Sequence, residues 1–160
     1  MEGKKKVYLD ATKIKECVSV YLSDAEVIWA GTTIYSMSVK CKNKEYERYA
    51  REYDIHFIFD DALPVIDFYA VPQFDILAVD SDGGLIGTMG KQSDLKSDAP
   101  ICYLDKNKKC YLIADNGAAF LEKASTWKQT MTFYEGISIY NSQMDARKEL
   151  EFIELCGFGK

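Results

Sequence analysis

The chain is short of the residues that most chemistry needs. Its 160 positions hold one histidine, three prolines and two tryptophans. No stretch reaches the roughly 18 consecutive apolar residues that cross a bilayer, so no membrane span is expected. A metal centre built on several imidazoles is excluded by the single His56. The five cysteines, Cys17, Cys41, Cys102, Cys110 and Cys156, are odd in number, far apart and free of any Cys-x-x-Cys pair. That pattern predicts free thiols in a reducing cytoplasm. The basic start Met1–Lys6 lacks the apolar core of a signal peptide, because Asp10 stops Val7-Tyr8-Leu9 at once. Positive charge is also scarce, with 20 Lys and Arg against 25 Asp and Glu and a net charge of -5. Direct nucleic-acid binding relies on neutralising phosphates and is set aside, whereas a basic partner is permitted.

Catalytic signatures are missing too. There is no Gly-x-Ser-x-Gly elbow and no His-Glu-x-x-His run. The glycines from Gly83 to Gly90 lack a Gly-Lys-Ser/Thr ending and read into a strand, so they form no phosphate loop. Asp80-Ser81-Asp82-Gly83-Gly84 opens like a calcium loop, but Gly84 stands at its fifth position and Lys91 at its twelfth, where oxygen ligands belong. No metal and no cofactor are expected.

What is present describes a globular chain. Apolar residues make up 48% and charged residues 28%, enough for one domain over residues 1–160 with a core that needs no disulfide. The hairpin Phe74–Thr88 organises it: apolar Ile76–Val79 ends in acid, and Asp82-Gly83-Gly84 supplies a turn with a carboxylate able to bond its own backbone. A second hairpin joins Ile101–Leu104 to Cys110–Ala114 through five polar residues. Further strands are expected at Glu26–Ala30, Thr32–Val39, Ile55–Phe59 and Val65–Val71, the last closed by Pro72. Lys40–Arg51 reads equally as a solvated hairpin or as a short helix carrying Tyr46, Tyr49 and Ala50 on one side.

Helical spacing appears at Ile14, Cys17, Val18, Tyr21 and Leu22, and again at Phe120, Leu121, Ala124, Trp127 and Met131 after a cap at Asp115 or Asn116. A last helix starts near Ser142, with Ala146, Leu150 and Ile153 as its stripe and Gly157 and Gly159 as its end. Strands without regular strand–helix alternation make an α+β fold, with a mixed and mostly antiparallel sheet.

Candidate functional residues are few. His56 is expected on the face opposite Ile55 and Phe57, half exposed, and would need a carboxylate or cysteine within hydrogen-bond reach to act as a base. Asp60, Asp61, Asp80, Asp82, Asp94, Asp98 and Asp105 sit at strand ends and loops. The turns Asp60-Asp61 and Asp80–Asp82, with the loop Ser93–Asp98, are expected to converge on one acidic rim facing a basic protein.

The block from Phe74 to Leu121 resembles the SUKH superfamily, which contains yeast cell-wall synthesis regulators and many bacterial immunity proteins. The likeness is carried by Asp75–Gly84, by Asp98-Ala99-Pro100-Ile101 before a strand, and by Tyr111–Asp115 leading into Phe120-Leu121-Glu122. It spans the middle third of the chain. The amino-terminal half departs from the family pattern, keeping only Ala62-Leu63-Pro64 of the usual Leu-Gly-x-x-Leu-Pro turn. The resemblance implies a mixed sheet packed with helices, no common catalytic site, and in bacterial members the neutralisation of toxins, nucleases among them. The expected function is therefore a noncatalytic protein-binding module. The alternatives are a small hydrolase or transferase built on His56, a cell-wall regulator, and a structural homo-oligomer.

Overall fold

The computed structural model describes residues 5–13, 25–90 and 99–153. The organising hairpin forms where the sequence places it. Strands β6 (Phe74–Val79) and β7 (Leu85–Met89) pair antiparallel, with a bulge between Ile76 and Ala78. The second hairpin, β8 (Ile101–Leu104) and β9 (Cys110–Ala114), continues the sheet beside β7. On its other side β6 takes two short strands. Strand β3 (Thr32–Ile34) lies parallel along its start, and β4 (His56–Phe57) lies antiparallel along its end. A two-residue strand, β10 (Thr132–Phe133), closes the far edge against β9.

Two smaller ladders complete the α+β fold. Strands β1 (Lys5–Asp10) and β2 (Ala25–Ala30) run parallel, and β5 (Tyr69–Val71) pairs antiparallel with β11 (Ser138–Tyr140). Among the described residues no helix is long and apolar enough to cross a membrane.

Alternation along the strands gives the main sheet two apolar faces. One face buries Leu77, Ile86, Ile101, Tyr103 and Ile113 under Ile55, Phe120, Ala124 and Trp127. The other buries Phe74, Ile76, Met89, Leu104 and the thiols of Cys102 and Cys110 against Ile58 and Phe68. Full burial of each large apolar side chain contributes roughly 2 kcal/mol, so the two faces account for most of the driving force. Of the described cysteines Cys41 is exposed, and all three are free thiols.

Several elements differ from their sequence patterns, each for a local reason. The strand expected over Thr32–Val39 stops at Ile34, because β4 takes over the same edge of β6 from Ala78 onward; Met37 bridges Phe59 instead, and Ser38 caps a 3-10 turn at Val39–Cys41. Lys40–Arg51 resolves in favour of helix α1 (Lys44–Tyr53). Of Val65–Val71 only the last three residues pair, since only they have a partner, β11. The stripe after Asn116 is broken in two. Asn116 caps α2 (Gly117–Glu122) as expected, but Ala124–Thr126 tightens into a 3-10 turn before the short α3 (Trp127–Thr130). Ser125 and Thr126 are weak helix formers, and the tighter turn still lets Phe120, Ala124 and Trp127 reach one core. Leu121 is left exposed and Met131 is extended.

Ser142 caps α4 (Gln143–Glu149), which ends at Leu150 instead of continuing to the glycines. The chain there turns to pair with β1, since Tyr8 N–H donates to the Glu151 carbonyl and Ile153 N–H to that of Tyr8. The helical stripe Ile14–Leu22, the loop Ser93–Asp98 with Asp94 and Asp98, and Gly157 and Gly159 lie outside the described residues.

Candidate functional site

Helix α1 has the chemistry of a stable surface helix. The Asn43 side chain accepts the Tyr46 N–H at 3.1 Å, and Glu45 and Glu47 stand in the first turn, where the helix dipole favours anions. Tyr46, Tyr49 and Tyr53, three and four apart, form one stripe. Tyr46 meets Phe57 and Phe59 edge-on at ring-centroid distances of 5.3 and 5.6 Å, and Tyr49 meets Phe57 at 5.8 Å. No residue of α1 is fully buried, so these rings keep one side open. Between α1 and β4 runs an open groove of about 250 Å³. Its floor is Tyr46, Ala50, Phe57 and Phe59, and its rim is Lys42, Asn43, Glu47 and His56.

The helix ends at Asp54, which adopts the left-handed conformation (φ 58°, ψ 38°) that Asp tolerates better than most residues. This turn aims its carboxylate at three elements. His56 Nε2 lies 2.8 Å from Oδ1, Ser81 Oγ donates to Oδ2 at 2.7 Å, and Lys128 Nζ donates to Oδ2 at 2.7 Å. The Ser81 N–H adds a bond at 3.1 Å. Partial burial works to raise the Asp54 pKa, but the donors from Lys128, Ser81 and His56 outweigh it and hold the carboxyl far below its usual range.

Asp80 is more deeply committed. Its side chain is wholly buried, Oδ1 accepts the N–H groups of Asp82 (3.1 Å) and Gly84 (2.7 Å), and Oδ2 accepts the Tyr103 hydroxyl at 2.7 Å. The carboxylate that holds the turn is thus Asp80. The sequence pattern assigned that work to Asp82, whose side chain is mostly exposed. Gly83 takes a positive φ of 86°, and a Cβ on Gly84 would lie 2.2 Å from the Tyr103 hydroxyl, so each glycine is required for a separate reason.

Carboxylate oxygens of Asp54, Asp80 and Asp82 lie within 4.8 Å of one another. The Lys128 ammonium sits among them, 2.7, 3.5 and 3.6 Å from the three in turn. The cluster therefore carries its own cation, and Asp82 is its outward-facing member.

The expected rim is only partly brought together. Asp80 and Asp82 share one cluster with Asp54. Asp60 accepts the Ser36 hydroxyl and Asp61 pairs with Lys42 at 2.7 Å, at the far end of the segment that contains β4. His56, which lines the groove, contacts Asp54, and Lys42, which lines it too, contacts Asp61, with Phe57 and Phe59 in the groove as well. The acids therefore stand at the two ends of an aromatic groove. His56 is exposed opposite a buried Ile55, and it has the carboxylate partner a base requires.

Three contributors were missed in the sequence: Asp54, Lys128 and the tyrosine stripe as a wall. Asp54 stands two residues before the only histidine, and Lys128 follows a core tryptophan. Only the fold brings them together. No family model, curated protein or solved structure matches this chain.

Proposed function

We propose that the protein is a noncatalytic binding module that docks a basic protein over the α1–β4 groove, in the manner of an immunity protein neutralising a cationic toxin such as a nuclease. One observation carries the reading: an open aromatic floor bounded at both ends by carboxylates. Tyrosine and phenylalanine provide large contact area at small entropic cost, the usual core of a protein interface. Exposed carboxylates such as Asp60 and Asp82 steer a basic partner and add to its on-rate more than to its affinity. The reading agrees with what the SUKH resemblance implies for bacterial members.

The test replaces Asp60, Asp61 and Asp82 with Asn and leaves the buried Asp80 intact. Association with the captured basic partner is expected to slow about tenfold at low salt, with the difference fading at high salt and the melting temperature almost unchanged. Tyr46→Ala is expected to act on dissociation instead. Equal association rates at low salt for the parent and the folded triple variant would refute the reading.

A second reading, a small hydrolase or transferase, is favoured by the His56–Asp54 contact of 2.8 Å beside the groove. With Nε2–H directed at Asp54, Nδ1 is the nitrogen that would accept a proton from water. The Ser81 hydroxyl donates to Asp54 and not to His56, so Ser81 is not prepared as a nucleophile by this histidine. Under this reading His56→Gln lowers turnover on a panel of ester, phosphodiester and peptide substrates at least a hundredfold. Activity unchanged by that substitution excludes His56 as the base.

A further inference from the structure

Asp75 is the one buried side chain among the described residues with an oxygen that nothing satisfies. It lies in β6, facing Thr33 of β3 on one side and Thr88 of β7 on the other, and is 3% exposed. Oδ1 accepts the Thr33 hydroxyl, which in turn accepts Gln73 Nε2 at 3.1 Å, while Oδ2 has no hydrogen-bond partner. The flanking groups Thr33, Thr88 and Gln73 are all neutral. Among the described residues no ammonium, guanidinium or second carboxylate acts on Asp75. Asp54 and Asp80 show how this chain treats other buried or half-buried carboxylates: it surrounds them with donors and a lysine. Asp75 has one donor and no cation.

We propose that Asp75 is a neutral carboxylic acid in the closed fold at mildly acidic pH, and that its ionisation as pH rises is the release of a latch holding β3 to the main sheet. A charged carboxylate with a bare oxygen in an apolar setting is costly, and protonation lowers that cost to the smaller one of an unpaired neutral group. The strand that would yield is β3. It has three residues, ends the strand order of the main sheet, and bears the Thr33 hydroxyl, the only donor to Asp75 among the described residues. Beyond β6–β3 pairing it is tied by Tyr35 N–H to the Ile76 carbonyl at 2.8 Å and by Phe74 N–H to that of Gly31 at 3.0 Å. Beyond β3 the chain runs to Lys42 and Asn43 on the rim of the groove, so the latch sits upstream of the binding wall. The inference holds whatever the groove binds.

Burial, only partly offset by the Thr33 hydroxyl, pushes the Asp75 carboxyl up to about 6. For an acid raised on folding, the stabilising contribution is complete below the unfolded value near 4 and is lost as pH rises through the folded value. A shift of about two units corresponds to about a hundredfold in the unfolding constant.

Three measurements test the inference. Urea unfolding of the parent and of Asp75→Asn is followed from about pH 4.5 to about pH 8. The ratio of their unfolding constants should change by at least tenfold and toward a hundredfold, with the parent weakening as pH rises. Every other titrating group is common to both proteins and cancels in that ratio, so parallel curves overturn the proposal. Should Asp75→Asn fail to fold, the carboxyl 13C shift of Asp75 in the parent decides: a midpoint near 6 supports the neutral acid, and one near 4 overturns it. Amide exchange locates the effect. Relative to Asp75→Asn, the parent at pH 8 should lose protection at Ile34 and Tyr35 before β8 and β9, and uniform loss across the sheet would overturn the latch.

Discussion

Replacing Asp80 with alanine is expected to lower the unfolding free energy by about 4 kcal/mol, a large share of a small domain's total. The buried carboxylate closes the β6–β7 turn, anchors Tyr103 from β8 and faces Lys128 from α3, so one side chain joins three elements. Alanine leaves the Gly84 N–H and the Tyr103 hydroxyl without their acceptor inside the protein, at about 1–3 kcal/mol each. It also removes an anion from beside an ammonium 3.5 Å away. Asp80→Asn retains the shape but presents an amide donor to one of these donors, and a cost of about 2 kcal/mol is expected. Asp82→Ala, two residues on, removes an exposed group and should fall within about 0.5 kcal/mol of the parent. Urea midpoints at unchanged slope measure all three. An Asp80→Ala variant within about 1 kcal/mol of the parent would show that the turn does not depend on this carboxylate.

The same contrast marks what was legible in the sequence. Both hairpins could be read, because their apolar runs are contiguous and their turns are built of Asp, Asn, Gly and Lys. The starts of α2, at Asp115 or Asn116, and of α4, near Ser142, could be read as well, since a short polar side chain before an apolar period favours a cap, and Asn116 and Ser142 are the residues that do so. Which aspartate faces inward could not be read. Asp80 and Asp82 are equivalent in composition, and only the Tyr103 hydroxyl arriving from β8 separates a buried acceptor from a solvated charge. The edge strands β10 and β11 escaped notice because two or three residues carry no period, and their pairing is decided by what the sheet presents to them.

The site was harder to read than the fold for a related reason. Its acids were visible as types, but the floor between them depends on the chain reversing at Asp54 so that α1 folds back over β4, and a left-handed Asp carries no clear signature in the sequence. Lys128 shows this most clearly. One residue after a buried Trp127 it looks like an ordinary surface charge, yet it lies within 4 Å of three carboxylates drawn from two other segments. Positions of this kind are fixed by the packing of the residue beside them. The stability of the site should therefore follow Trp127.

Trp127→Ala is expected to cost about 4 kcal/mol. The side chain is 2% exposed and lies edge-on to Tyr103 at a ring-centroid distance of 5.2 Å. Its indole N–H donates to the Tyr53 carbonyl at 2.7 Å, at the last turn of α1. The ring thus joins α3 to the sheet, and its nitrogen joins α3 to the helix that walls the groove. Alanine opens a cavity and frees both attachments. Trp127→Phe separates them: the phenyl ring keeps most of the contact, while the Tyr53 carbonyl loses its donor, for about 1–2 kcal/mol. In that variant the cost should be local. Amides of the last turn of α1, including the Asp54 N–H that caps it on the Tyr49 carbonyl, should exchange about tenfold faster, with those of α4 unchanged. Lys128 rides on the same short helix, so the Asp54–Lys128 contact should weaken with them. If Trp127→Phe speeds exchange equally in α1 and α4, the indole bond is only one contribution to global stability. If it speeds exchange in α1 alone, Trp127 is the residue that holds the groove wall against the sheet.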